Sequence, residues 1–171
     1  MPSRVRIRRA HPDDWPACKR VRLAALEEAP YAFGSTLERE LAFADRLWRQ
    51  RLESASAASF LAWLGTEPVG MAVGLADDPG DEFAVPGAWQ LVGMWADPRV
   101  RGLGVAGPLV EVVAAHARAQ GAASLVLWVT EVNDRARSFY RRMGFTGTGM
   151  RQLVRPEQPD HWEEQMIRYF G

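Results

Sequence analysis

The amino-acid sequence predicts an α+β domain in which a mixed, mostly antiparallel sheet of about seven strands is flanked by helices. Length is the first observation, because 171 residues suit one domain with its own hydrophobic core. Composition is the second, since 47% hydrophobic and 25% charged residues are the proportions of a globular protein. The third is the alternation of short apolar segments with segments of helical periodicity. We expect one domain over residues 1–171.

Charge and composition exclude several classes of function. The 21 basic residues equal the 21 acidic residues, so no overall positive field points to nucleic acid as a partner. A single cysteine, Cys18, allows no internal disulfide, and three scattered histidines lack metal-ligand spacing. No apolar run approaches the roughly 20 residues of a membrane helix, and Met1–Ala10 lacks the apolar core of a secretory signal. We expect a cytoplasmic protein with no metal, membrane or nucleic-acid partner.

The first third of the chain has one strand pattern and two helix patterns. Val5–Arg8 alternates apolar and charged side chains, as in a strand with one buried face. Apolar residues at helical spacing predict a helix over Trp15–Ala29, which Pro30 ends. Thr36 can cap a second helix. The apolar stripe of that second helix runs through Leu41, Ala44, Leu47, Trp48 and Leu52.

A β-hairpin, an exposed acidic loop, a β-α-β-α series and two closing strands complete the predicted order. The hairpin strands are 60–64 and 69–75, and the acidic loop is 76–82. The later segments are the strand 89–96, the helix 105–120, the strand 124–130, the helix 133–143 and the strands 144–154 and 164–170.

The most informative segment is 89–107, where an apolar strand leads through an Arg- and Gly-rich loop into a helix. The first N–H groups of a helix lack internal acceptors and lie at the positive end of the helix dipole, so they can bind phosphate oxygens. Gly102 and Gly104 let the main chain approach a ligand closely. Arg99 and Arg101 are expected to add positive charge. The segment predicts an anion site, with a diphosphate as the expected ligand.

Two other phosphate motifs fit this segment less well. A P-loop needs a lysine beside its last glycine, and the one lysine of the chain, Lys19, lies in the first helix. Gly102, Gly104 and Gly107 do have the G-x-G-x-x-G spacing of a dinucleotide fold. Glu131 lies near the position of the ribose-binding carboxylate in that fold. The preceding elements leave little room for a doubly wound sheet, so dinucleotide binding is kept as a minor alternative.

A second segment, 133–145, has the pattern of a short amphipathic helix that Gly144 ends. By their spacing, one face of this helix carries Ala136, Phe139, Tyr140 and Met143. Tyr140 therefore points inward. On this pattern alone, Tyr140 is a core residue whose hydroxyl has a hydrogen-bond partner.

Together the two segments resemble the Gcn5-related N-acetyltransferases (the GNAT family). Residues 99–104, RVRGLG, match the family signature Q/R-x-x-G-x-G/A. Residues 133–145 are similar to its downstream segment, N-x-x-A-x-x-x-Y-x-x-x-G-F. The order of strands and helices also agrees. The resemblance implies a GNAT-like fold over the whole chain, with a sheet that opens where 89–96 and 124–130 run parallel and splay apart.

The resemblance also implies acetyl-CoA as the acyl-donor co-substrate. Backbone amides over 101–106 are expected to bind the pyrophosphate, and the end of the preceding strand is expected to pair with the pantetheine arm. The residues expected to contact acetyl-CoA are Met94, Trp95, Ala96, Arg99, Arg101, Gly102, Leu103, Gly104, Val105, Ala106, Asn133, Ala136 and Tyr140.

For catalysis, the resemblance implies direct attack by a primary amine on the thioester. The Tyr140 hydroxyl, with an ordinary pKa of about 10, can protonate the departing thiolate. An ammonium group must first lose a proton, and family members often use a glutamate on the strand before the phosphate loop. That strand, 89–96, contains no carboxylate. Glu131 and ordered water are the two candidate proton acceptors. Cys18 is far from both motifs, so we expect no covalent enzyme intermediate.

The acceptor pocket of the family is framed by the first two helices, their connecting loop and the closing strands. This implies four candidate lining residues, namely Tyr31, Phe33, Glu38 and Trp162. The acidic loop 76–82 can attract a cationic amine, although a solvated loop is the commoner explanation. We expect a small-molecule amine as the acceptor. A protein amino group, and a non-catalytic acyl-CoA-binding sensor, are the alternatives, and a homodimer is left open.

Overall fold

A seven-stranded sheet in the order β1-β2-β3-β4-β5-β7-β6 carries the fold. The computed structural model describes residues 4–171, so residues 1–3 of the predicted domain lie outside the described part. The strands are β1 Val5–Arg9, β2 Ala57–Leu64, β3 Glu67–Ala76, β4 Ala88–Ala96, β5 Ser124–Thr130, β6 Thr146–Leu153 and β7 Trp162–Tyr169. Among the strands of residues 4–171, only β4 and β5 pair in parallel. The predicted α+β class with a mixed, mostly antiparallel sheet is confirmed, and the doubly wound alternative is wrong.

Helices cover both faces of the sheet. They are α1 Trp15–Glu28, α2 Leu37–Leu41, α3 Asp45–Glu53, α4 Ala106–Ala119 and α5 Asp134–Arg142. On one face, α4 and α5 pack on a core that includes Leu109, Val113, Leu125, Leu127 and Phe145. On the opposite face, α1 and the following loop pack on a core that includes Val21, Leu26, Phe33, Leu61 and Met71. Within residues 4–171, no helix is both long and apolar enough to cross a membrane.

The predicted second helix is wrong in one respect, because it is two helices. Thr36 caps α2 as expected, since its hydroxyl accepts a hydrogen bond from the Arg39 N–H at 3.2 Å. The backbone then leaves the helical region, and α3 begins after the extended residue Ala44. The break turns Glu40 inward to Arg22, a charged partner on α1, and leaves Leu41 exposed. The apolar pattern of the sequence did not predict that a carboxylate would be buried here.

The two central parallel strands separate soon after they begin. β4 pairs with β5 only through Ala88, Trp89 and Gln90, although both strands continue. Beyond Gln90, β4 contains a bulge. Met71 of β3 pairs with Trp95 and Val73 pairs with Val92, so β4 has one extra residue between these two pairs. Gly93 lies at this bulge with a φ of +61°, a left-handed conformation that favours glycine. The bulge and the short pairing leave the edge of β4 that faces β5 free of strand partners beyond Gln90.

Candidate functional site

The loop between β4 and α4 forms an open cradle of backbone N–H groups. Among the described residues, no acceptor binds the N–H groups of Gly102, Gly104, Val105, Ala106 and Gly107. Gly102 and Gly104 have φ values of +82° and +75°, and a Cβ on either would meet nothing within 4 Å. Open space therefore lies above a row of unpaired donors at the positive end of α4, which fits the phosphate oxygens of an anionic ligand.

Neighbouring contacts hold this cradle in shape. Asp97 caps the short turn that follows β4 by accepting from the Arg99 N–H at 2.9 Å. Val100 and Val105 are buried on either side of the glycines and anchor the loop to the core under α4. Leu103 is 67% exposed between them. The donors are thus preorganised before a ligand arrives, which lowers the entropic cost of binding.

Arg99 and Arg101, which are expected to add positive charge at the anion site, are both paired with carboxylates. Arg99 donates to Asp97 at 2.8 Å and to Glu67 at 3.1 Å. Arg101 forms two bonds with Glu28, at 3.0 and 2.8 Å, and its Nε donates to the Ala96 carbonyl. These carboxylates already neutralise both guanidinium groups. The two arginines fix the path of the loop, and the amides carry the positive potential.

The free edge of β4 presents selected backbone groups to the gap. The Trp95 carbonyl faces β3, since a Cβ on Gly70 would lie 3.1 Å from it. Successive residues of a strand direct their backbone groups to opposite sides, so those of Met94 and Ala96 face β5. The Ala96 carbonyl already accepts from Arg101. Met94 is therefore the residue of the predicted strand end whose backbone remains available, and Trp95 is turned away.

The second sequence motif lies beside the gap on α5. Asn133 caps the helix, because its side-chain oxygen accepts from the Ala136 N–H at 3.1 Å. Tyr140 points inward as predicted, with its ring 5.2 Å from that of Phe139 and 5.8 Å from that of Phe145. Its hydroxyl has no hydrogen-bond partner within residues 4–171, unlike that of a purely structural tyrosine. Burial raises the pKa of Tyr140 above its ordinary value, so the hydroxyl stays protonated.

A cavity of about 600 Å³ lies on the opposite face of the sheet, beneath α1, α2 and α3. Gly93 lines this cavity, whereas the next residue, Met94, packs against the core under α4. The bulge of β4 is therefore shared by the cavity on one face and the α4 side on the other. The charged residues of the cavity wall are Arg22, Glu40, Arg51 and Glu163. Its aromatic residues are Phe33, Trp48, Phe60 and Trp128.

A buried ion pair joins α1 to α2 in the cavity wall. Arg22 donates from Nε and Nη2 to the Glu40 carboxylate, each at 3.0 Å. Glu40 is only 2% exposed. Burial acts to raise the pKa of Glu40, but the bonds from Arg22 outweigh it and hold this pKa below the ordinary value. The pair is fixed next to the bulge, since Arg22 Nη1 lies 3.8 Å from the Cβ position of Gly93.

Two further titratable groups line the cavity. Glu163 is half-buried on β7, and its carboxylate accepts from the Gln152 side chain at 2.8 Å. Burial raises the pKa of Glu163 above its ordinary value. Cys18 also lines the cavity, although it is distant from both motifs in sequence. Burial raises the pKa of Cys18 to about 12, so the thiol stays protonated at neutral pH and is a poor nucleophile.

The structure separates the four predicted acceptor-site residues. Phe33 lines the cavity, but Tyr31, Glu38 and Trp162 are absent from its wall. Tyr31 is 48% exposed, and its carbonyl lies 2.7 Å from the His161 ring. Glu38 is exposed on α2. The structure does not bring these three residues together with Phe33 in this cavity, and their role at an acceptor site stays a prediction.

The predicted proton acceptor Glu131 also lies outside the cavity wall. Its carboxylate is bound by Arg151, whose Nη2 donates at 2.9 Å, and Arg151 in turn lies over the Trp162 ring. This ion pair lowers the pKa of Glu131. A carboxylate with a lowered pKa is a weaker proton acceptor, so the arrangement counts against the predicted role.

Sequence reasoning missed four charged residues of the cavity, namely Arg22, Glu40, Arg51 and Glu163. Glu163 carried a usable signal, since the period of two places it on the same face of its strand as the inward residue Ile167. The other three lie on helix positions that read as solvated. No group of three or more His, Cys, Asp or Glu residues in the described part of the chain is placed to hold a metal ion.

The fold and the cradle together define a domain that places an anion at a helix start beside a divided sheet. A sequence model of the acetyltransferase (GNAT) family matches residues 18–145, which are well over half of the chain. The chain belongs to this family. The family and the fold expected from the two motifs are confirmed.

Individual relatives differ in what their names say they act on. A mycothiol acetyltransferase of Geodermatophilus obscurus is 36% identical over 90 residues, which are 53% of this chain but only 29% of that protein. A PaiA N-acetyltransferase of Thermoplasma acidophilum, in complex with coenzyme A, is 12% identical with a TM-score of 0.74 over 98% and 99% of the two chains. A ribosomal-protein-alanine N-acetyltransferase of Brucella melitensis is 19% identical, with a TM-score of 0.75 over 96% and 99%. The two structural likenesses show the fold alone.

Replacing Glu40 tests the buried ion pair. Glu40→Gln leaves Arg22 without its counter-charge, so we expect the free energy of unfolding at pH 7 to fall by about 3–5 kcal/mol. Because the folded-state pKa of Glu40 is lowered, its stabilisation is present above the ordinary pKa of 4.5 and is lost as pH falls through the folded value. The difference between variant and parent should therefore shrink in acid. Urea denaturation at several pH values measures it, with the exposed Glu38→Gln as the neutral control.

Proposed function

We propose that this domain transfers the acetyl group of acetyl-CoA to a primary amine of a small molecule. One observation carries the proposal: the strand β4 separates from β5, leads into an open cradle of amides at the start of α4, and lines a cavity on the other face with Gly93 at its bulge. Family membership and the relatives named for coenzyme A or acetyl transfer support the same reaction. A donor can thus enter from one face and an acceptor from the other.

The donor side uses backbone groups more than side chains. The free N–H groups of Gly102 and of residues 104–107 suit the pyrophosphate, and the free backbone of Met94 suits the amide groups of the pantetheine arm. Asn133 and Ala136 stand at the start of α5 beside the same gap. When bound, acetyl-CoA supplies an activated acetyl thioester. The Met94 N–H, facing the gap, is our candidate donor to the oxyanion that develops on its carbonyl.

The acceptor side favours a small molecule over a folded protein. Its volume of about 600 Å³ is within the range of small-molecule pockets. The β6–β7 connection closes over the loop that follows α1, since Arg155 donates to the Phe33 carbonyl at 3.0 Å and His161 contacts the Tyr31 carbonyl. A protein amino group is the alternative acceptor, and it would have to enter as an extended terminus.

Proton transfer requires one acceptor and one donor. We propose that Glu163, directly or through water, takes the proton of the acceptor ammonium. The free amine then attacks the thioester carbonyl, so that a C–N bond forms and the C–S bond breaks. Tyr140 donates its hydroxyl proton to the leaving thiolate. As the amide forms, the attacking nitrogen loses its second proton, which passes through solvent to the Tyr140 phenolate. Glu163 releases the first proton to solvent, so that one proton is released for each acetyl group transferred.

A variant of the cradle tests donor binding. Gly104→Asp places a negative charge and a strained residue against the pyrophosphate, so we expect affinity for acetyl-CoA to fall by about 100-fold or more. Gly121→Asp is the matched control, because Gly121 also has a positive φ, of +86°, and open space around it, at the other end of α4. Calorimetric titration measures both variants, with NADH as a comparison ligand. Equal affinities in the two variants would remove the cradle from the proposal.

The hydroxyl of Tyr140 is tested by the smallest available change. Tyr140→Phe keeps the packing and removes the proton donor, so we expect normal acetyl-CoA binding and a loss of about 10²–10⁴-fold in kcat. Tyr169→Phe, on a 71% exposed residue of β7, should leave both quantities unchanged. Release of free thiol from acetyl-CoA measures turnover. A variant as fast as the parent from pH 6 to 9 would show that Tyr140 is only a core residue.

A comparison of two glutamates decides the proton acceptor. Because the pKa of Glu163 is raised by burial, kcat/KM should fall as pH decreases through it, and Glu163→Gln should lose rate and this acidic limb together. Glu131→Gln, at a carboxylate whose pKa is lowered by Arg151, should keep the parent profile. The pH dependence of thiol release measures both. The reverse outcome would reinstate Glu131, and two unchanged profiles would leave ordered water as the acceptor.

A further inference from the structure

Arg22 is held at the point where the acetyl group must meet the acceptor. Two of its three nitrogens are bound by Glu40, and its Cζ lies 4.9 Å from the centre of the Phe33 ring. The third nitrogen, Nη1, lies 3.8 Å from the Cβ position of Gly93, at the bulge of β4. Nη1 has no hydrogen-bond partner within residues 4–171. The guanidinium group is therefore fixed in place with both N–H donors of Nη1 unused.

The unused donors of Arg22 lie in the cavity wall and suit one kind of ligand group. Arginine has no acceptor and stays charged at all ordinary pH values, so its partner must be an acceptor, and an anion gives the strongest bond. Glu40 occupies the Nε and Nη2 side of the group and orients Nη1 toward the bulge. The ion pair thus holds Nη1 in a fixed position, from which it can donate to a carboxylate.

A second cation strengthens the preference for an anion. Arg51 lines the same cavity and forms no ion pair within the described part of the chain. Its Cζ lies 4.8 Å from the centre of the Phe43 ring and 5.3 Å from that of Trp48. Burial lowers its pKa, but a guanidinium group remains protonated at neutral pH. Since Glu40 is already engaged by Arg22, Arg51 adds to this wall a positive charge that no carboxylate pairs with within residues 4–171.

We propose that the acceptor is an α-amino acid, or a small molecule that contains the same amino-carboxylate unit, with its carboxylate on Arg22 Nη1. This inference rests on the proposed function. The attacking nitrogen must come within about 3–3.5 Å of the thioester carbonyl carbon at the bulge. A carboxylate two bonds from that nitrogen then lies within reach of Arg22.

The rest of the cavity and the chemistry of the step agree with this acceptor. The wall beyond Arg22 is largely apolar, with Leu61, Met71, Val73 and Leu75 along the sheet, so an apolar side chain fits there. A guanidinium group beside the amine also lowers the pKa of the ammonium form, which increases the fraction of attacking free amine. A polyamine would instead bring a second positive charge to Arg22 and be repelled.

Matched substrates provide the test. The intact protein is assayed for thiol release from acetyl-CoA with L-leucine, L-methionine and L-phenylalanine, with their C-terminal amides, with spermidine and with a peptide that begins with alanine. The amides keep the amine and the side chain but lose the carboxylate. We expect kcat/KM for the free amino acids to exceed that for the amides by about 10- to 100-fold, the value of a hydrogen bond to a charged group.

Variants assign this preference to Arg22. Arg22→Lys keeps the charge but loses the forked geometry, and should reduce the preference. Arg22→Met combined with Glu40→Leu replaces the whole buried pair by apolar groups, so that no charge is left unpaired, and should abolish the preference while acetyl-CoA still binds. Arg20→Met is the matched control on the same helix, since Arg20 is exposed and pairs with Glu67. The control should keep the preference.

The outcomes separate this inference from the function on which it rests. Failure to bind acetyl-CoA in calorimetry overturns the proposed function itself. Binding of acetyl-CoA, with amides, spermidine or the peptide used as well as the free amino acids, overturns the inference and leaves the function standing. The inference also fails if acetyl-CoA binds and no free amino acid is acetylated, or if the double variant keeps the preference for free amino acids.

Discussion

The separation of β4 from β5 is the constraint on which the rest of the site depends. Two parallel strands that paired along their full length would use the backbone groups of β4 and close the sheet. Here the pairing stops after three residues, and a bulge at Gly93 turns the strand away. The backbone of Met94 is thereby left free at a gap between the two strands. The cradle follows the end of β4, and Gly93 at the bulge lines the cavity on the opposite face.

Charged side chains have two roles around the gap between β4 and β5. On the donor side, Arg99 and Arg101 are neutralised by carboxylates, and their contacts hold the loop so that its amides point outward. On the acceptor side, the Arg22–Glu40 pair is buried, where desolvation makes it costly to form and costly to break. Apolar residues of similar size would serve packing as well, and we propose that the pair has a role beyond stability.

Burial has three different chemical results in this site. It raises the pKa of Tyr140, which keeps the hydroxyl protonated at neutral pH. It raises the pKa of Glu163, which makes that carboxylate a better proton acceptor. It raises the pKa of Cys18 to about 12, which keeps the thiol protonated and unreactive. One physical cause therefore supports direct transfer between two substrates without a covalent enzyme intermediate.

The sequence by itself determined the strands, most helices, the glycine cradle and the inward position of Tyr140, because these follow from periodicity and from local backbone rules. It did not determine the break between α2 and α3, the engagement of Arg99 and Arg101, or the cavity residues Arg22 and Glu163. Those features depend on which charged groups meet after the chain folds, and the partners lie far apart in sequence, such as Arg101 and Glu28. Only the tertiary structure decides such pairings, since no local pattern records them.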